Sequence, residues 1–153
     1  MSTANAFSWG GFSWGGDFVT ALACMRGNVL RAVAINSASD EFNDRTNPLT
    51  YQDLPCLTTS YPAIRFEHAV GGDSAYPSPD FATTSKLLQS FNACKGACGV
   101  ASTSVASSTS AMTCVSYSGC GKELIECSFN ASIGHALPPN WAADTWAFFQ
   151  TFP

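Results

Sequence analysis

Charged side chains are scarce in this sequence. Seven Lys and Arg and eleven Asp and Glu make up 12% of its 153 residues, about half the share in an ordinary globular domain. The net charge is −4, which speaks against a nucleic-acid surface. Long apolar runs are missing too. No stretch approaches the ~18 residues of a membrane span, and the uncharged segment 99–119 consists largely of Ser, Thr and Ala. Residues 1–7 carry neither the basic n-region nor the apolar h-region of a signal peptide. No Cys-x2-Cys knuckle occurs, which argues against a zinc site. Histidine is limited to two residues, His68 and His135.

What is present points to a single folded domain over residues 1–153. Hydrophobic residues reach 46%, with 11 Phe, 4 Tyr and 4 Trp, too many for a disordered chain and enough for one core. Seven cysteines combined with low charge and many Ser and Thr residues predict an oxidising, extracellular setting. Asn130-Ala131-Ser132 is a glycosylation sequon compatible with export. With no leader in its first residues, the chain is expected to be a piece of a secreted precursor. Its seven cysteines allow at most three disulfides and leave one thiol over. Cys24, on the apolar side of the first predicted helix, is expected to be that buried free thiol. The cysteines from Cys94 to Cys127 are expected to staple a loop-rich insertion to the last strand pair, with the pairing left open.

The hydrophobic pattern alternates between strands and helices, which predicts an α/β fold with a parallel sheet. A helix is predicted over 14–26, with Phe18, Val19, Leu22, Ala23 and Arg26 on one face and Gly27 as its stop. Leu30 to Ile35 suits a buried parallel strand, residues 37–60 a polar loop, and Ala63 to His68 a second strand ended by the turn Gly71-Gly72-Asp73. Ser78-Pro79 opens a predicted helix over 79–92. Residues 95–112 read as a loop, and Thr113 to Tyr117 and Glu123 to Phe129 as paired strands. Asn140 is expected to cap a last helix anchored by Trp141, Trp146, Phe149 and Phe152.

A tandem repeat, Phe7-Ser8-Trp9-Gly10-Gly11 and then Phe12-Ser13-Trp14-Gly15-Gly16, contains the pattern G-x-S-x-G as Gly11-Phe12-Ser13-Trp14-Gly15. Such a serine sits on a sharp strand-to-helix turn that exposes its Oγ, and the flanking glycines let strand and helix pack closely. The helix N-terminus then faces the reaction centre, where its dipole favours a developing oxyanion. The backbone N–H of Trp14 is the expected oxyanion donor, and its indole either lines an acyl pocket or packs beside the turn. A serine hydroxyl needs a base, and the base needs an orienting acid. In sheets with this turn the partners follow in chain order serine, acid, histidine. That order selects His135, on a loop beyond the last predicted strand, and Asp73, at the end of an earlier one. His68 reads as a partly buried strand-end histidine. Asp80 reads as a first-turn helix residue, and Asp40, Glu41, Asp44 and Asp53 read as solvated charges.

Several segments resemble the feruloyl esterases and their acetyl xylan esterase and polyhydroxybutyrate depolymerase relatives. They are Gly11 to Gly16, Ala21-Leu22-Ala23-Cys24, Leu30 to Ala34, Tyr117-Ser118-Gly119-Cys120, Cys127-Ser128-Phe129, Gly134-His135 and the closing Thr145-Trp146-Ala147-Phe148-Phe149. The resemblance implies an α/β-hydrolase-like parallel sheet with flanking helices. It also implies a secreted serine esterase, a carboxylic ester hydrolase acting on feruloyl or acetyl esters of plant cell-wall xylan. No metal or organic cofactor is implied, and the partner is the polysaccharide ester rather than nucleic acid or membrane. Ser13, Asp73 and His135 fall on the family's nucleophile, acid and base. The family builds its first strands before the elbow, whereas here the elbow comes at residue 13. The chain is therefore expected to lack the N-terminal strands and the loop that donates the second oxyanion N–H. The alternative expectation is a truncated, catalytically impaired homologue, and a third is a carbohydrate-binding remnant.

Overall fold

The computed structural model describes residues 7–38, 50–51, 54–55, 62–76, 101–105 and 112–152. Strand β1 (Phe7–Phe12) leads into helix α1 (Trp14–Arg26), a 3-10 turn (Gly27–Val29) and strand β2 (Leu30–Asn36). Strands β3 (Thr50–Tyr51) and β4 (Leu54–Pro55) form a small antiparallel pair. They are followed by β5 (Ala63–Ala69), β6 (Ala101–Val105), β7 (Met112–Tyr117) and β8 (Leu124–Phe129). A 3-10 turn (Ala131–Ile133) and helix α2 (Trp141–Gln150) close the described chain. Among the described residues no helix is long and apolar enough to cross a membrane.

The main sheet has six strands in the order β1-β2-β5-β8-β7-β6. Neighbours from β1 through β8 are parallel, and β7 runs antiparallel to both β8 and β6. The sheet is thus mixed, with a parallel half and an antiparallel half. The C-terminal ends of β1, β2, β5 and β8 share one edge of the sheet, so the chain leaving each of them emerges there. β2 and β5 are buried almost throughout because both faces of the sheet are covered. On one face α1 lays Val19 and Ala23 against Val33, Ile35, Ile64, Phe66 and Leu124. On the other, Phe148 of α2 packs with Ala32, Ala63, Ile125, Cys127 and Phe129.

Both helices are rotated from the faces expected. α1 buries Gly16, Asp17, Val19, Thr20, Ala23 and Cys24, whereas Phe18 is 58% exposed and Arg26 is exposed. Small side chains let the helix approach the sheet closely, and that proximity wins over the bulk of Phe18. The bounds of α1 are as expected: the α-helix ends at Arg26 with Gly27 as its C-cap, whose φ of −55° leads on into the 3-10 turn. In α2 the sheet-facing set is Thr145 and Phe148, with Phe149 and Phe152 partly buried beside them, while Trp146 is 63% exposed. Trp141 instead reaches β1, where a Cβ on Gly10 would lie 3.5 Å from its ring. Asn140 precedes α2 in a left-handed conformation and makes no side-chain cap, although its carbonyl accepts from Asp144 N.

The segment expected as a loop over 95–112 contains β6, an antiparallel partner of β7 rich in β-branched and small residues. The polar loop expected over 37–60 contains the β3–β4 pair. The helix expected over 79–92, with Asp80, lies outside the described residues, as do Asp40, Glu41, Asp44 and Asp53. The pairing of β7 with β8 around Gly119 follows expectation. Cys114 and Cys127 face each other across that pair and form a disulfide. Cys24 and Cys120 are each disulfide-bonded as well, though not to one another, so the free thiol expected at Cys24 is not there.

Under α2 the sheet carries a buried polar group. Arg65 and Glu67, both on β5, form an ion pair, and Asn36 Nδ2 donates to Glu67 Oε2 at 2.7 Å from β2. Burial drives the Glu67 carboxyl up, against the opposing pull of Arg65 and Asn36.

Candidate active site

The site is built where β1 turns into α1. Ser13 adopts φ 56° and ψ −129°, a sparsely populated conformation for a residue with a side chain, of the kind that costs on the order of 1–3 kcal/mol. The surroundings hold it there. Ser13 N donates to Asn36 O of β2 at 3.0 Å, and Ser13 O accepts from Gly16 N at 2.8 Å and Asp17 N at 3.0 Å. Space explains two of the glycines. A Cβ on Gly11 would sit 2.1 Å from Gly15 O, and one on Gly16 would sit 2.6 Å from the Ala38 Cβ. Gly15 has open space at its Cβ position. The close approach thus depends on Gly11 and Gly16, and the last glycine of the G-x-S-x-G pattern is not one of the pair.

Asp73 follows β5. The strand ends at Ala69, Gly71 and Gly72 turn the chain with φ of 79° and 88°, and Gly72 N donates to Ala69 O. The Asp73 side chain is buried. Its Oδ1 accepts from Ala75 N and Tyr76 N, each at 2.8 Å, and its own N–H donates to Tyr76 O at 2.9 Å. Burial alone would raise its pKa. The hydrogen bonds from His135, Tyr76 and Ala75 outweigh that, and the carboxyl titrates below its ordinary value.

His135 follows β8 and the 3-10 turn Ala131–Ile133, and is reached through Gly134 at φ 65°, ψ −151°, a conformation only glycine adopts freely. Its Nδ1 lies 3.0 Å from Asp73 Oδ2 and its Nε2 lies 2.8 Å from Ser13 Oγ. With Asp73 ionised, Nδ1 carries the proton and donates it, so Nε2 presents a lone pair that accepts from the Ser13 hydroxyl. Two tilted rings pack against the imidazole, Phe12 at 4.8 Å and Tyr76 at 5.5 Å between centroids. The structure therefore brings Ser13, Asp73 and His135 together in one hydrogen-bonded line from three strand ends. His68 is elsewhere. It is half-buried on β5, with Nε2 2.9 Å from Glu126 Oε1 of β8, and Glu126 also accepts from the Tyr117 hydroxyl.

Trp14 begins α1, so its amide lies in the first turn, where no intrahelical acceptor exists. Its side chain is 82% exposed. The line is chemically able to take a proton from Ser13 and to place the resulting nucleophile beside the positive end of a helix.

Four residues at the site escape a reading of the sequence. Phe12 and Tyr76 pack against the imidazole, the Asn36 carbonyl fixes the serine turn, and buried Asp17 accepts from the Tyr76 hydroxyl at 2.8 Å. Asp17 had one signal, a carboxylate in the first turn of the helix that follows the serine, but a helix dipole accounts for that equally well. No protein-family model matches the chain, and no curated protein matches it.

Proposed function

We propose that this protein is a serine ester hydrolase that works through an acyl-enzyme. The observation that carries this reading is the Asp73–His135–Ser13 line, with contacts of 3.0 and 2.8 Å, ending on a serine at φ 56°. Ser13 Oγ attacks the ester carbonyl as its proton passes to His135 Nε2. Asp73 holds the Nδ1–H bond and stabilises the imidazolium. The tetrahedral oxyanion forms at the N-terminus of α1, within reach of the Trp14 amide. His135 then returns the proton to the leaving alkoxide, and an alcohol departs. Water gives a proton to His135 and attacks the acyl carbonyl, which frees the acid and restores Ser13. No cofactor enters these steps.

The order of the parts supports an α/β-hydrolase assignment. The serine follows β1, the acid β5 and the histidine β8, in the serine–acid–histidine sequence of that fold. The family resemblance supports feruloyl or acetyl esters of plant cell-wall xylan as substrates. The Cys114–Cys127 disulfide supports a secreted setting. One observation favours a second reading, an impaired homologue: β1 is the outermost strand among the described residues, and no described strand lies beyond it to carry a second donor loop.

A fluorophosphonate probe separates the two. Covalent labelling of the folded chain, lost in Ser13→Ala, with turnover of methyl ferulate or 4-nitrophenyl acetate, is the expected result. A folded chain that takes no label and turns over neither ester leaves the impaired homologue as the answer.

A further inference from the structure

Ser13, His135 and Asp73 form three members of a closed ring of hydrogen bonds, and the other two are Tyr76 and Asp17. From Asp73 the ring passes to Tyr76 through a reciprocal backbone and side-chain pair, Tyr76 N to Asp73 Oδ1 at 2.8 Å and Asp73 N to Tyr76 O at 2.9 Å. The Tyr76 hydroxyl donates to Asp17 Oδ2 at 2.8 Å across 59 residues of sequence. Asp17 N donates to Ser13 O at 3.0 Å, which returns the ring to the serine turn. Both side chains of the Tyr76–Asp17 bond are buried, Tyr76 at 8% and Asp17 at 2% exposure.

We infer that Tyr76 and Asp17 are positioning residues that lock the acid loop to the nucleophile helix, an inference that rests on the serine-esterase reading. The physical need is clear. Asp73 sits on a loop entered through two glycines in left-handed conformations, and its distance to His135 sets the alignment of Nε2 on Ser13. A buried phenol–carboxylate bond fixes that loop to the element carrying the serine, so the acid and nucleophile keep one relative position. Burial makes the bond strong, and breaking it leaves a carboxylate short of a donor. The Tyr76 ring does a second task by packing on the imidazole, and Tyr76→Phe keeps that contact while removing only the hydroxyl.

The test compares the wild type with Tyr76→Phe, Asp17→Leu, the double variant and Asp17→Asn. Steady-state 4-nitrophenyl acetate kinetics are normalised to fluorophosphonate-titrated sites, and the downfield Nδ1 proton of His135 is followed by NMR. Tyr76→Phe and Asp17→Leu are each expected to lower kcat on the order of tenfold with KM unchanged, and to shift the Nδ1 proton. The double variant loses no more than either single one, because both break the same bond. Asp17→Asn, whose amide oxygen still accepts from the phenol, retains the Nδ1 signal and falls less than Asp17→Leu. Variants that only melt earlier, with kcat per titrated site and the Nδ1 signal intact, would overturn the inference. A wild type that turns over no ester defeats the esterase reading alone, and the NMR comparison still decides whether the ring positions His135.

Discussion

Ser13 carries a hydroxyl that is a weak nucleophile until a base draws its proton, so the site depends on where His135 is held and in which tautomer. Asp73 sets both. Asp73→Asn keeps the size of the side chain but lets the imidazole take the wrong tautomer. Its kcat is expected to fall by about 10³–10⁴ with little change in KM, measured by ester turnover per titrated site. Asp73 also links the site to pH. Its folded pKa is depressed by the His135, Tyr76 and Ala75 hydrogen bonds, which overcome the effect of burial. A carboxyl of that kind contributes stability above its unfolded pKa of about 3.9, and that contribution is lost as pH falls through the lower folded pKa. Urea unfolding across the acid range is expected to show wild-type stability falling below about pH 4. The Asp73→Asn curve is flatter there. The serine turn was legible in the sequence because Gly11, Ser13 and the following helix are neighbours in the chain. Tyr76 was not, because only folding brings its hydroxyl to Asp17.

At the scale of the element, the β1–α1 junction is a matter of volume. Gly11 lies so near the Gly15 carbonyl that a Cβ would have to sit 2.1 Å from its oxygen, and the three nearest atoms are all backbone, with no flexible side chain to give way. Gly11→Ala is expected to destabilise by more than about 4 kcal/mol or to prevent folding. Gly15→Ala meets open space inside a helix and is expected to add about 0.5–1 kcal/mol. Circular dichroism and urea midpoints distinguish the two outcomes. The strands were the most legible elements. Leu30 to Ile35 is a short, mostly apolar run, and Ala63 to His68 alternates Ile64 and Phe66 with polar residues; both become strands buried on both sides. The helix faces were less so. Aromatic bulk suggested Phe18 and Trp146 as anchors, but both point outward because small residues and Phe148 fit the sheet more closely.

Across the whole molecule, low charge and an outermost β1 act together. Phe7 is 59% and Trp9 48% exposed on that strand, and among the described residues β1 has a strand neighbour on one side only. Such an edge invites pairing with another chain. Sedimentation velocity is expected to show concentration-dependent association that Trp9→Lys suppresses, because a charged edge residue resists burial. Composition, periodicity and the order serine–acid–histidine determined by themselves an α/β chain, its main strands and the three residues that meet, since these depend on near neighbours and chain order. Tertiary structure alone decided the mixed sheet, the strand hidden in a Ser/Thr run, the disulfide at Cys24 and the turn of each helix on the sheet. It also decided the ring through Tyr76 and Asp17. Each of these depends on which distant surfaces fit together, and that fit is a property of packed volume which no local pattern encodes.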